Sequence, residues 1–372
     1  MSFKVPYNYL PIEFNNKNSK QIFIKWKELI SKTDFTLGEY VNKFEKEFAR
    51  FVGSKYCIST NNGTDALIIC LKSLGVGRGD EVITVANSFY ATVGAIVACG
   101  AKPILVDCDD RFQIDISRIE NKVTKKTKVI LPVHWGGASP EIEKILKISK
   151  KYNLKVVEDA CMGIGGKIKG KAPGTFGEIS AYSMHPLKSL NVMGDGGMVV
   201  TNNKKLFLWT QKYRNHGMRD RDHIDFWGVN MRLQPLQAIV AMHRLKELKR
   251  TVKRRNINAN ILDKELLKLY PNVVIPHRPN KYLETFSLYM CTVKKRDKLV
   301  KFLIKNKIEV KIHYPIPLNQ QKASKYLKLN QNEFINVNTQ AKSLITLPVH
   351  QYLTKDQLVF MVEKIKLFYE KK

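Results

Sequence analysis

From about residue 34 to residue 206, short apolar and β-branched runs alternate with longer amphipathic stretches. Residues 55–59, 81–85, 103–106, 128–133 and 155–158 read as strands. Residues 65–71 and 91–100 read as helices, the second ending at Gly100. Strands that alternate with helices predict a parallel sheet covered on both faces. In such sheets a ligand sits beyond the carboxyl ends of the strands. Asp107, His134 and Asp159 each fall just past a strand end and so stand where a site is expected. A long helical pattern then covers residues 236–268, and its charged cluster at 246–255 reads as a solvated face. Beyond it come a strand (286–293), a helix (296–306) and a second strand (309–313). A final helix spans 354–369 with Thr354 as its cap. The glycine- and lysine-rich stretch 167–177 reads as an exposed loop. The predicted fold is α/β: a large domain over residues 1–245 with a mixed, mostly parallel sheet flanked by helices, and a smaller C-terminal α/β domain over residues 246–372.

Charge changes this picture little. The 372 residues carry a formal net charge of +30, which raises nucleic acid or an acidic membrane as partners. The lysines are dispersed, however, and neither a helix-turn-helix nor zinc-finger spacing is visible, so neither partner is expected. The net charge fits a role in drawing in an anionic substrate. No apolar run approaches the roughly 18–20 residues of a membrane helix, and the first residues lack a signal pattern, so a cytoplasmic protein is expected. The six cysteines form no CxxC pair and read as small core residues, and no metal site is expected.

Candidate chemistry concentrates in a few places. Lys188 lies in Ser183-Met184-His185-Pro186-Leu187-Lys188, ahead of the turn Gly194-Asp195-Gly196-Gly197. Asp159 ends the run Lys155-Val156-Val157-Glu158-Asp159. A lysine amine can form a Schiff base with an aldehyde, and a buried carboxylate can hold a pyridinium nitrogen protonated. Those are the two groups a pyridoxal 5'-phosphate (PLP) enzyme most requires. Asn62-Gly63-Thr64, between a strand and a helix, offers backbone N–H groups and the positive end of a helix dipole to a phosphate, though a simply capped helix reads the same way. Phe89 can stack on a flat ring or serve as a core aromatic. Ser183 can donate its hydroxyl to a phosphate.

Taken together, these motifs resemble the DegT/DnrJ/EryC1/StrS family of PLP-dependent sugar aminotransferases, in the fold type I aspartate aminotransferase superfamily. The resemblance runs from Phe35-Thr36-Leu37-Gly38 to the last helix. It implies a phosphate turn at Gly63 and Thr64, a stacking aromatic at Phe89, a pyridinium acid at Asp159, a phosphate serine at Ser183 and the Schiff-base lysine at Lys188. Gly228-Val229-Asn230-Met231-Arg232-Leu233 is similar to a segment whose asparagine reaches the phosphate in a neighbouring subunit, which implies a homodimer with shared sites and that role for Asn230. His313-Tyr314-Pro315 is similar to a segment lining the sugar site. Met162 stands where the family usually carries Gln or His against the cofactor's phenolic oxygen, and Asn319 where a histidine is common. The implied reaction moves an amino group from L-glutamate to a nucleotide-linked keto-sugar for O-antigen or capsule sugars. A non-nucleotide keto-sugar acid is the alternative acceptor. Dehydratases of the family carry histidine in place of the lysine, so Lys188 favours transamination.

Overall fold

The computed structural model describes residues 3–370. Seven strands form the main sheet: β1 (Tyr56–Thr60), β2 (Glu81–Val85), β3 (Lys102–Val106), β4 (Thr127–Leu131), β5 (Lys155–Asp159), β6 (Ile179–Ser183) and β7 (Gly197–Thr201). Their order is β1-β7-β6-β5-β4-β2-β3. β7 runs antiparallel to both neighbours, and every other pairing is parallel. All residues of β2, β6 and β7 are buried. Strands covered on both faces have no polar side to show, and Met198-Val199-Val200 of β7 accordingly reads as a continuous apolar run. Because only β7 is reversed, the carboxyl ends of the other six open on one edge.

Two helices bring chain to that edge. Helix α1 (Gly63–Ser73) follows β1, and α2 (Tyr90–Ala98) follows β2. A third, α3 (Pro235–Leu266), opens with proline and a capping box between Gln234 and Gln237. Its 32 residues span about 48 Å at 1.5 Å per residue. The first half packs Ala238, Ile239 and Val240 against the core beside the sheet. The second half packs Ala259, Leu262 and Leu266 with a separate core around Tyr289, Leu299 and Leu358. The expected boundary at residue 245 thus falls inside a continuous helix. The second core is backed by a small antiparallel sheet, in which Tyr289–Val293 lies between Leu344–Leu347 and Val273–Val274. The closing helix Lys355–Glu370 is capped as expected, with Thr354 and Gln357 exchanging hydrogen bonds at 3.0 and 3.2 Å. No helix among the described residues is long and apolar enough to cross a membrane.

Three local readings are corrected. Residues 309–313 do not make a strand: Glu309 bonds to Val5 on one side and Lys311 to Thr346 on the other, so no single partner extends a ladder. The stretch 167–177 is exposed only at 169–171. Lys167–Ile168 pairs with Tyr282–Leu283, and Ala172, Pro173 and Gly174 are buried. The cluster at 246–255 is solvated at its lysines, but Arg255 is 1% exposed because it falls on the buried stripe through Leu248, Val252 and Ala259.

Candidate active site

The carboxyl edge of the sheet floors a cavity of about 260 Å³. At one end, Asn62 caps α1, its side chain accepting the Asp65 N–H at 2.8 Å. The remaining first-turn amides and the helix dipole favour an anion there. A Cβ on Gly63 would stand 2.7 Å from Ser183 Cβ and 3.2 Å from Cys161 Sγ, so only glycine lets this turn close on the end of β6. A Cβ on Gly197 would come within 2.2 Å of the Asn62 carbonyl oxygen, which explains the glycine opening β7. Ser183 and Thr64 complete this end of the cavity.

Asp159, at the tip of β5, is 5% exposed. Its Oδ2 accepts the Thr92 hydroxyl at 2.8 Å, and its Oδ1 accepts the Cys161 N–H at 3.2 Å. Ser88 bonds Thr92 in turn at 2.7 Å. Among the described residues the carboxylate has no ion-pair partner in contact. A buried carboxylate that faces a cavity without one favours a cationic occupant.

Lys188 lines the same cavity. Burial pushes its amine below the usual lysine range, a shift that the nearby Cys161 and Asp159 partly oppose. A lowered pKa leaves more of the amine uncharged and nucleophilic. Phe89 is 46% exposed at the start of α2, with its ring 6.2 Å from that of Tyr314. Tyr314 lies 5.1 Å from Tyr90 and 5.8 Å from Trp135, which makes an aromatic wall. His313 shares a hydrogen bond with Thr346 at 3.0 Å, and burial, aided by the Lys188 charge, pushes it down to about 4. Met162 lines the cavity, while its carbonyl accepts the hydroxyls of Thr285 at 2.6 Å and Ser287 at 3.0 Å.

Of the residues given a role in the site by the resemblance, Asn230 lies outside the cavity of its own chain. It is exposed and accepts the Arg232 Nε–H at 2.8 Å. Asp107 and His134 also stay out of the cavity. Asp107 accepts the N–H groups of Asn336 and Val337, both at 2.8 Å. His134 is wholly buried between Glu158 and Ser139, both at 2.9 Å. Sequence reading missed Thr92, Tyr7, Tyr9, Arg255 and His350, all of which line the cavity. Only Thr92 left a signal, as the second of two hydroxyl residues four apart around Phe89.

This donor set fits pyridoxal phosphate. There is an amine poised for an aldehyde, an acid awaiting a cationic ring nitrogen, and a glycine turn with hydroxyls for the phosphate.

Comparison with known proteins points the same way. Residues 16–366 match the model of the DegT/DnrJ/EryC1/StrS aminotransferase family. A "Pleiotropic regulatory protein" of Geobacillus stearothermophilus is 36% identical over 92% of each chain. The dTDP-3-amino-3,6-dideoxy-alpha-D-galactopyranose transaminase of Aneurinibacillus thermoaerophilus is 34% identical over 96% of this chain and 97% of its own. The crystal structure of NtdA from Bacillus subtilis with bound cofactor PMP superposes with a TM-score of 0.93 at 29% identity, covering 100% of this chain and 86% of that one.

Proposed function

This chain belongs to the DegT/DnrJ/EryC1/StrS aminotransferase family and is a PLP-dependent sugar transaminase, and on that premise we propose that it moves the amino group of L-glutamate onto a nucleotide-linked keto-sugar. The observation that carries this reading is the placement of Lys188 and Asp159 in one cavity, the amine lowered by burial and the carboxylate without a contacting cation.

When bound, pyridoxal phosphate supplies an aldehyde that condenses with amines and a ring that takes up an electron pair from the donor's α-carbon. Lys188 holds the cofactor at rest and, once released, takes the proton from the donor's α-carbon and returns one to the acceptor's. Asp159 holds the proton on the ring nitrogen, and Thr92 fixes the carboxylate's direction. Gly63, Thr64 and Ser183 hold the phosphate, and Phe89 covers the ring. Met162 lies beside the cofactor and offers it no normal hydrogen bond from its side chain. His313, uncharged at neutral pH, and Tyr314 line the sugar side.

The assembly is read as a homodimer. Ile224 and Trp227 are 51% and 88% exposed just before Asn230. These two exposed apolar side chains support a second copy seated there, with Asn230 reaching the partner's phosphate site. Residues 1–245 form the larger, cofactor-holding part and 246–372 the smaller. The dTDP-sugar named for the Aneurinibacillus relative supports nucleotide linkage. The amino sugar is assigned to O-antigen or capsule synthesis, and the reaction to the cytoplasm, where such precursors are made.

Glutamate labelled with heavy nitrogen, incubated with the PLP-loaded protein and a panel of nucleotide-linked keto-sugars, tests the reading. Label appearing on a sugar supports it. Conversion of glutamate to 2-oxoglutarate with label on none of the sugars refutes the acceptor class, and no conversion refutes the donor.

A further inference from the structure

The segment from Val5 to Glu13 crosses the rim of the cavity and ties together three distant parts of the chain. Toward the smaller core, Val5 bridges Ile308, Glu309 accepts the Tyr7 N–H at 2.8 Å, and the His350 ring bonds the Pro6 carbonyl at 3.0 Å. Toward α3, Arg244 is ion-paired with the buried Glu13. Toward the turn after β6, Asn191 donates to Glu13 at 2.6 Å.

At the centre of this segment is the Tyr9 hydroxyl. It donates to the Lys188 main-chain carbonyl at 3.2 Å and accepts from Arg255 Nη2 at 3.0 Å. A guanidinium can only donate, so the single phenolic proton is committed to Lys188. Arg255 is itself fixed by two further acceptors, Gln351 Oε1 at 3.0 Å and the Phe286 carbonyl at 3.3 Å. Its guanidinium also lies 5.4 Å from the centre of the Tyr9 ring, and the ring is 4% exposed. Lys188's own turn grips its N–H through the His185 carbonyl at 2.8 Å. The main chain at Lys188 is therefore held from both sides, once by its own loop and once by a residue 179 positions away.

We infer that Tyr9 is a positioning residue for Lys188: braced by Arg255 on α3, it fixes the main chain from which the lysine side chain reaches the end of the cavity that holds Asp159 and Cys161. The N-terminal segment thereby couples the placement of that amine to the smaller core. The inference rests on the reading of Lys188 as the cofactor-linked lysine.

Tyr9→Phe tests it, since the ring and its packing remain and only the hydroxyl is lost. In the cofactor-free protein, the rate at which an amine-reactive reagent labels Lys188, read by peptide mass spectrometry, is expected to change roughly three- to tenfold, the worth of one hydrogen bond. Labelling of the surface lysines stays as in the wild type, and the melting temperature falls by only about 2–4 °C. In the loaded protein the pH midpoint of the cofactor's visible absorbance shifts, and kcat falls while the KM for glutamate holds. Arg255→Lys keeps the charge but loses the fork, and it moves the same readouts in the same direction. Lys188 labelling and an absorbance midpoint that match the wild type in both variants overturn the inference. A Lys188→Ala chain that still develops the visible band overturns instead the reading on which it rests.

Discussion

Thr92 donates its hydroxyl to Asp159 Oδ2 at 2.8 Å, from a position on α2 that is wholly buried. A hydrogen bond to a charged group contributes about 1.5 kcal/mol or more, so Thr92→Val is expected to weaken cofactor affinity roughly tenfold. Titration of the visible band with pyridoxal phosphate checks this. Unchanged affinity would mean the hydroxyl does not support the acid.

Asp159→Asn keeps the shape of the side chain but removes the charge that holds a proton on the ring nitrogen. The expected loss in kcat is on the order of 10²–10³, comparable with deleting a group aimed at developing charge. Single-turnover conversion of glutamate reads it, and a loss under tenfold would contradict the role.

Gly63→Ala places a methyl 2.7 Å from Ser183 Cβ, an atom fixed to its own backbone that cannot swing aside, and 3.2 Å from Cys161 Sγ. Overpacking of this kind costs about 1–3 kcal/mol. The loss is expected in phosphate binding, seen as weaker retention of pyridoxal phosphate on gel filtration with the fold intact by circular dichroism.

Two histidines, His350 buried and His313 half-buried, make the cofactor-free fold sensitive to acid. Burial pushes His313 and His350 from the ordinary 6.5 down to about 4. Between pH 6.5 and about 4 the unfolded chain takes up protons that the folded chain refuses. Their contribution to stability is therefore full above pH 6.5, falls as pH drops toward 4, and is exhausted below. Denaturant midpoints measured from pH 7 to pH 4.5 should decline, and His350→Gln should flatten the slope. A midpoint independent of pH over that range would contradict the burial.

Much of the cavity was legible because a parallel sheet delivers its chemistry to one edge. Once β1 and β5 are recognised as strands, Gly63 and Asp159 must gather, whatever lies between them in sequence; Ser183 and Lys188 came from their motif instead, because Ile179-Ser180-Ala181-Tyr182-Ser183 of β6 shows no strand pattern. The same rule overreached with Asp107 and His134. They also follow strands, but their polar atoms are consumed by Asn336, Val337, Glu158 and Ser139. Arg255 was hidden for the opposite reason, as one basic residue among many on a helix whose lysines are solvated. Its buried position depends on helical phase against a core that forms only in three dimensions. Tyr9 lies in a short N-terminal helix and turn segment with no period to read, and its partners are 179 and 246 positions away.

The most direct measurement locates the cofactor itself. Reduction of the PLP-loaded protein with borohydride, followed by digestion and mass spectrometry, should place the pyridoxyl group on the peptide carrying Lys188, and Lys188→Ala should give no such adduct and no visible band. A pyridoxyl group found on a different lysine, or a Lys188→Ala protein that keeps the band and transfers nitrogen, would contradict the assignment.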